Sequence, residues 1–189
     1  MIANQIAGAL AGGVAASTSS YESIATFTVG SGGSASIDFT SIPSTYKHLQ
    51  LRMLTNDNYG REVVIQLNSD GGANYTRHRI KDDGTGNPTG YYALSNTRAF
   101  VGANSAYASI YAGFVTDILD YANVNKYTTI RSFGGYDRNT TNSIVQIQSS
   151  MWANTAAVTS ITVKSTGDSD SFASNFIQYS HFALYGIKG

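Results

Sequence analysis

From residue 21 onward, apolar and polar residues alternate over short stretches that are separated by turns rich in glycine, asparagine and serine. A period of two is typical of a β-strand with one buried face, because successive side chains point to opposite faces. The clearest case is residues 48–54, in which Leu49, Leu51 and Met53 share one face. The pattern predicts about ten strands, for which eleven segments are the candidates: residues 24–29, 34–39, 48–54, 63–67, 75–80, 97–101, 107–119, 127–136, 144–152, 158–164 and 176–187.

The spacing of these strands is typical of a sandwich or barrel. Residues 24–39 are predicted to form a hairpin around the glycines of residues 30–33, whereas residues 81–90 are predicted to be a loop. Residues 117–127 are best interpreted as a strand end followed by a loop. The fold prediction is therefore all-β: residues 21–189 form a single jelly-roll-like antiparallel β-sandwich, preceded by a short arm.

The arm, residues 1–20, contains no charged side chain. Its larger apolar residues are spaced four apart and would lie on one stripe of a helix, although three glycines weaken such a helix. These residues are Ile2, Ile6, Leu10 and Val14. The arm is interpreted as an anchor, either in a bundle of several copies or docked on a neighbouring subunit. The alternatives are a helix lying on its own domain and a signal peptide, which would lack the usual positive n-region.

Twelve basic and twelve acidic residues give the chain a formal net charge of zero. Without excess positive charge, neither nucleic acid nor a membrane surface is an expected partner. The absence of cysteine excludes disulfides and thiolate metal sites. No apolar stretch reaches the roughly 20 residues that span a bilayer.

The polar residues suggest no catalytic centre. The three histidines, His48, His78 and His181, are not spaced as metal-ligand pairs, and no Gly-x-Ser-x-Gly motif is present. The acidic turns at residues 82–87 and 168–170 could offer oxygens to calcium, but they lack the EF-hand spacing and are interpreted as solvated turns. The chain is therefore expected to have no catalytic residues, no cofactor and no metal, and not to be an enzyme.

Aromatic residues offer an alternative in carbohydrate binding, because flat rings stack on sugars. Tyr91, Tyr92 and Trp152 are the candidates for such a groove. Tyrosine is equally favoured in strands and at protein interfaces, so these residues also fit an ordinary sandwich.

Three segments resemble virion structural proteins of tailed bacteriophages: Ser41-Ile-Pro-Ser-Thr-Tyr-Lys-His-Leu-Gln-Leu-Arg52, Tyr127-Thr-Thr-Ile-Arg-Ser-Phe-Gly-Gly-Tyr136 and Phe182-Ala-Leu-Tyr-Gly-Ile-Lys-Gly189. The resemblance implies a β-sandwich subunit, often trimeric, that decorates the capsid or forms part of a head or tail fibre. We accordingly expect a homotrimer on the virion surface, synthesised in the host cytoplasm and attached through residues 1–20 to the capsid or a fibre base. The alternative is a tail-fibre receptor-binding or carbohydrate-binding module with a host-surface glycan as its partner.

Overall fold

A computed structural model describes residues 19–139, 142–166 and 173–189. The predicted anchor residues Ile2, Ile6, Leu10 and Val14 and the acidic turn at residues 168–170 lie outside these ranges. The described residues form twelve β-strands: β1 (Tyr21–Thr28), β2 (Ser36–Phe39), β3 (His48–Thr55), β4 (Glu62–Leu67), β5 (Tyr75–Asp82), β6 (Thr89–Asn96), β7 (Ala99–Ala103), β8 (Ala112–Leu119), β9 (Thr128–Tyr136), β10 (Ile144–Trp152), β11 (Ile161–Thr166) and β12 (His181–Ile187).

The strands are arranged in two antiparallel sheets of unequal width. The first has eight strands in the order β1-β12-β3-β8-β9-β10-β5-β6, and the second has four in the order β2-β11-β4-β7. The all-β sandwich expected from the alternating pattern is confirmed, whereas the jelly-roll assignment stays a prediction. The second sheet lies against the middle of the first, where β7 contacts β9 and β10.

The core is formed by the facing sides of the two sheets. Leu49, Leu51 and Met53 of β3 all point inward, as their spacing predicts. The rings of Phe176 and Phe182 meet edge to face, with their centroids 4.8 Å apart. Such aromatic contacts stabilise a core beyond the area that they bury.

The predicted hairpin at residues 24–39 is wrong. β1 pairs with β12 in the wide sheet, and β2 pairs with β11 in the narrow one, so residues 29–35 carry the chain from one sheet to the other. Gly33 has a φ of 71° at this corner, in the left-handed region that glycine adopts readily. Glycines mark a change of chain direction, but they do not indicate whether the next strand joins the same sheet.

Strand β6 is missing from the sequence prediction because most of its side chains are exposed on both faces. It is the last strand of the wide sheet, where no second sheet covers it, so its sequence shows no alternation. Other predicted strands begin too early. The long strand predicted at residues 107–119 starts at Ala112, after a turn closed by the hydrogen bond from Ile110 N–H to the Tyr107 carbonyl.

Asp120 fixes the corner after β8. Its backbone has a φ of 49°, its N–H donates to His48 Nδ1 at 2.9 Å, and its carboxylate pairs with Lys126 and, at 3.0 Å, with Lys47. The two ammonium groups, Lys126 first, lower the pKa of Asp120 to about 2. The next residue, Tyr121, is buried in the core and donates its hydroxyl proton to the Pro43 carbonyl.

We expect Asp120→Asn to reduce the free energy of unfolding at neutral pH, because the amide keeps the shape but loses both ion pairs. A depressed carboxyl pKa stabilises the fold above the ordinary value of 3.8, and this contribution is lost as the pH falls towards 2. Urea unfolding of both proteins between pH 7 and pH 2 should therefore show two stability curves that converge at low pH. A stability difference that stays constant down to pH 2 would contradict the stabilising role of the ionised Asp120 carboxylate.

Candidate docking surface

The three predicted sugar-binding aromatics do not form one groove. Tyr91 and Tyr92 are neighbours on β6, so their rings lie on opposite faces of the sheet, 48% and 68% exposed respectively. Trp152 is 1% exposed. Its indole N–H donates to Asp70 Oδ2 at 2.7 Å, and its ring stacks on Tyr75. In this fold Trp152 offers no ring to a sugar.

The three histidines occupy separate places on the wide sheet. His48 accepts the Asp120 N–H, His181 Nδ1 lies 2.9 Å from the Thr28 hydroxyl, and His78 lies beside the ring of Tyr92. In the part of the chain that the structure describes, no three histidine, aspartate or glutamate side chains are grouped so as to hold a metal ion.

The acidic turn after β5 is held by its own hydrogen bonds. Asp82 accepts the Gly84 N–H, and Asp83 accepts both the N–H and the hydroxyl of Thr85. The Thr85 hydroxyl contributes most to lowering the pKa of Asp83. These contacts are typical of an Asx turn, in which the carboxylates serve the local backbone.

Between the sheets lies a polar cluster that the alternating pattern of the sequence does not predict. The guanidinium groups of Arg77 and Arg79 each contact Glu62 Oε1 at 2.9 Å, and Arg77 also donates to Gln148 Oε1. The Arg77 guanidinium lies 4.1 Å from the centroid of the Phe100 ring. The cluster joins β5 and β10 of the wide sheet to β4 and β7 of the narrow one. The sequence signal for this cluster is that Arg77 and Arg79 lie at alternate positions of β5, and therefore on one face of the sheet.

A row of exposed apolar side chains crosses the outer face of the wide sheet. Val115, Phe133, Ile147 and Ile80 lie on the adjacent strands β8, β9, β10 and β5, and each is the direct cross-strand partner of the next. They are 41%, 58%, 56% and 63% exposed. We call these four residues the outer belt.

Shallow depressions surround the outer belt. One, of about 460 Å³, runs along Phe133, Gly135 and Val145. Two others, of about 400 Å³ each, lie between Leu54 and Phe133 and between Ile147 and Tyr92. Gly113 and Gly135, which pair across β8 and β9, form the low points beside the belt. The outer face therefore has apolar ridges with hollows between them.

A row of polar side chains borders the outer belt on the side opposite Gly113 and Gly135. It consists of Asp117, Arg131, Ser149 and His78, which are again direct cross-strand partners. A contiguous apolar patch with a polar rim is the usual appearance of a protein interaction site. The sequence signal for it is weak: β10 has apolar residues on both faces, as in Ile144, Val145 and Ile147, but only the register aligns them with β9 and β5.

The two paired glycines are expected to respond differently to a methyl group. A Cβ at Gly135 would overlap the Ile144 carbonyl, which is backbone, whereas a Cβ at Gly113 would meet nothing within 4 Å. We expect Gly135→Ala to lower the free energy of unfolding by at least about 2 kcal/mol, and Gly113→Ala to change it by less than about 1 kcal/mol. Urea unfolding monitored by tryptophan fluorescence measures both. Equal effects would contradict the described register of β8, β9 and β10.

Within the described ranges no helix is present that is long and apolar enough to cross a membrane. Comparison of the chain with models of known protein families finds no match, and comparison with curated proteins finds none either.

Proposed function

We propose that this protein is a non-enzymatic structural subunit of a tailed-phage virion, of the capsid decoration or head-fibre type. The observation that carries the proposal is the outer belt, four exposed apolar side chains in line on a face that a monomer would leave in water. Because exposed apolar area of this kind favours association, the belt supports a role in assembly.

The sequence of the arm supports the same role. Residues 1–20 have no charged side chain, so transferring them to a protein surface requires no desolvation of charged side chains. In the proposal these residues bind the capsid or a fibre base, and the sandwich bodies associate as a symmetric oligomer, for which the resemblance favours a trimer. The partners are then other virion proteins and further copies of this chain.

The first test asks whether the chain enters particles through its arm. We expect Ile6→Asp with Leu10→Asp to reduce its content in purified particles at least about tenfold, because two carboxylates would be buried without partners. The control is Asn4→Asp with Gln5→Glu, which adds the same charge at positions beside the apolar stripe. Quantitative mass spectrometry of particles of the phage that encodes the chain measures the content.

The possible results distinguish the virion role from attachment through the arm. If the unaltered chain is missing from purified particles, the virion role is wrong. If the chain is present and Ile6→Asp with Leu10→Asp incorporates normally, the virion role survives but attachment through the arm is wrong.

Carbohydrate binding is a second candidate, favoured by the depression between Ile147 and Tyr92, into which the ring of Tyr92 is exposed beside His78. If the protein binds a host glycan there, Tyr92→Ala should abolish the signal on a glycan array, because the stacking ring is removed. Tyr59→Ala, which removes an equally exposed ring from a loop between β3 and β4, should leave it intact. An array without signal for the unaltered protein would count against this candidate.

A further inference from the structure

We propose that the outer face of the eight-stranded sheet binds the same face of a second copy. The two copies are related by a two-fold axis that lies midway between the two sheets, parallel to the strands and above the gap between β9 and β10. The proposal goes beyond the virion role and does not depend on it. It predicts a two-fold dimer through this face, so the trimer of the proposed function would have to form through other surfaces. It rests on the symmetry of the face itself. The outer belt occupies two strands on each side of that axis, with Val115 and Phe133 on β8 and β9, and Ile147 and Ile80 on β10 and β5.

A two-fold axis along the strands keeps every residue at its own level and exchanges β9 with β10 and β8 with β5. Phe133 would then face Ile147 of the second copy, and Val115 would face Ile80. All four belt residues of each copy are thereby matched to an apolar residue. Sheets that pack face to face about 10 Å apart interdigitate side chains in this manner.

The same two-fold rotation places large side chains opposite small ones in the row that contains Gly113, Gly135 and Val145. Val145 on β10 would face Gly135 of the second copy, so that a branched side chain meets a position without one. In the same row, Gly113 on β8 would face Asp82 on β5. In the row of the outer belt, at the outer strands, Arg52 on β3 would face Gly90 on β6, where the structure leaves open space. Large residues therefore meet small ones at both the centre and the edge.

The polar row is complementary in hydrogen-bonding capacity. Asp117 on β8 and His78 on β5 lie at the same level and at equal distances from the axis, so each carboxylate would face an imidazole of the other copy. The pair occurs twice in the dimer because a two-fold interface is isologous. Arg131 would face Ser149, so like charges are not brought opposite each other in this row.

The size of the face fits a reversible dimer. The six strands from β3 to β6 span about 29 Å at 4.8 Å each, and five residues along each strand span about 17 Å. The flat area is about 500 Å² on each copy and about 1,000 Å² in total, before side-chain relief is counted. This is near the lower limit for a specific protein interface.

The first experiment measures the oligomeric state of the full chain by sedimentation over a range of concentrations. We expect a dimer that dissociates on dilution, and we expect Ile147→Asp to raise its dissociation constant at least about 100-fold, because it buries an unpaired carboxylate twice. The matched control is Val124→Asp, an equally exposed aliphatic residue in the turn after β8, which should leave the constant unchanged. Absence of a concentration-dependent dimer, or equal effects of the two variants, would overturn the proposal.

The second experiment tests the axis, and it uses the absence of cysteine from the chain. Chains with Val115→Cys are mixed with chains with Ile80→Cys and treated with a short bis-maleimide. The two positions are three strands, about 14 Å, apart within one sheet, but they face each other across the proposed interface. We expect crosslinked mixed dimers in at least about tenfold excess over crosslinked dimers of either variant with itself. The control, Tyr59→Cys mixed with Ile80→Cys, should give at least about tenfold less crosslinked dimer.

Two crosslinking results would overturn the proposal. An excess of like pairs over mixed dimers would show a different axis. Preferential crosslinking of Val115→Cys to Ile6→Cys would assign the outer face to residues 1–18 of the chain instead of a second sheet. The virion content of the protein is measured separately, so failure of the dimer and failure of the virion role can be distinguished.

Discussion

The pairing register of β8, β9, β10 and β5 is the constraint on which both faces of the wide sheet depend. Because side chains alternate between faces, a slip of one residue would exchange the inner and outer sets. The inner set includes Phe114 and Ile130, which must be buried against the narrow sheet. Fixing them inward leaves Val115 and Phe133 outward and opposite each other. The belt is thus a geometric consequence of how the core is packed.

The ionic cluster between the sheets strengthens this register at β5. Arg77 and Arg79 point inward to Glu62 of β4, and the alternation then sends His78 and Ile80 outward. A buried arginine without its carboxylate would be strongly destabilising, so a shift of β5 is opposed by the cost of separating these charges. The inner cluster and the outer belt therefore act on the same strand from opposite faces, although they share no contact.

The two proposed means of attachment are compatible with one subunit. The arm ends at Ser20, next to the edge strand β1, whereas the belt begins three strands away at β8. A copy bound to a partner through its arm would keep its belt available for a second copy. Weak interfaces used together can hold an assembly much more firmly than either one alone. This combination suits a protein with few charges and no cysteine, for which association is an available source of stability.

Local sequence determined most of the strands and the fold class, because burial of one face imposes a period of two that is readable within six residues, as at Leu49, Leu51 and Met53. It did not determine which strands pair: the glycines of residues 30–33 mark a corner between sheets as readily as a hairpin turn. It also left β6 unrecognised, since an edge strand buries too little to show a period. The outer belt was decided by tertiary structure alone, because Val115, Phe133, Ile147 and Ile80 come from four separate strands and become neighbours only through their register.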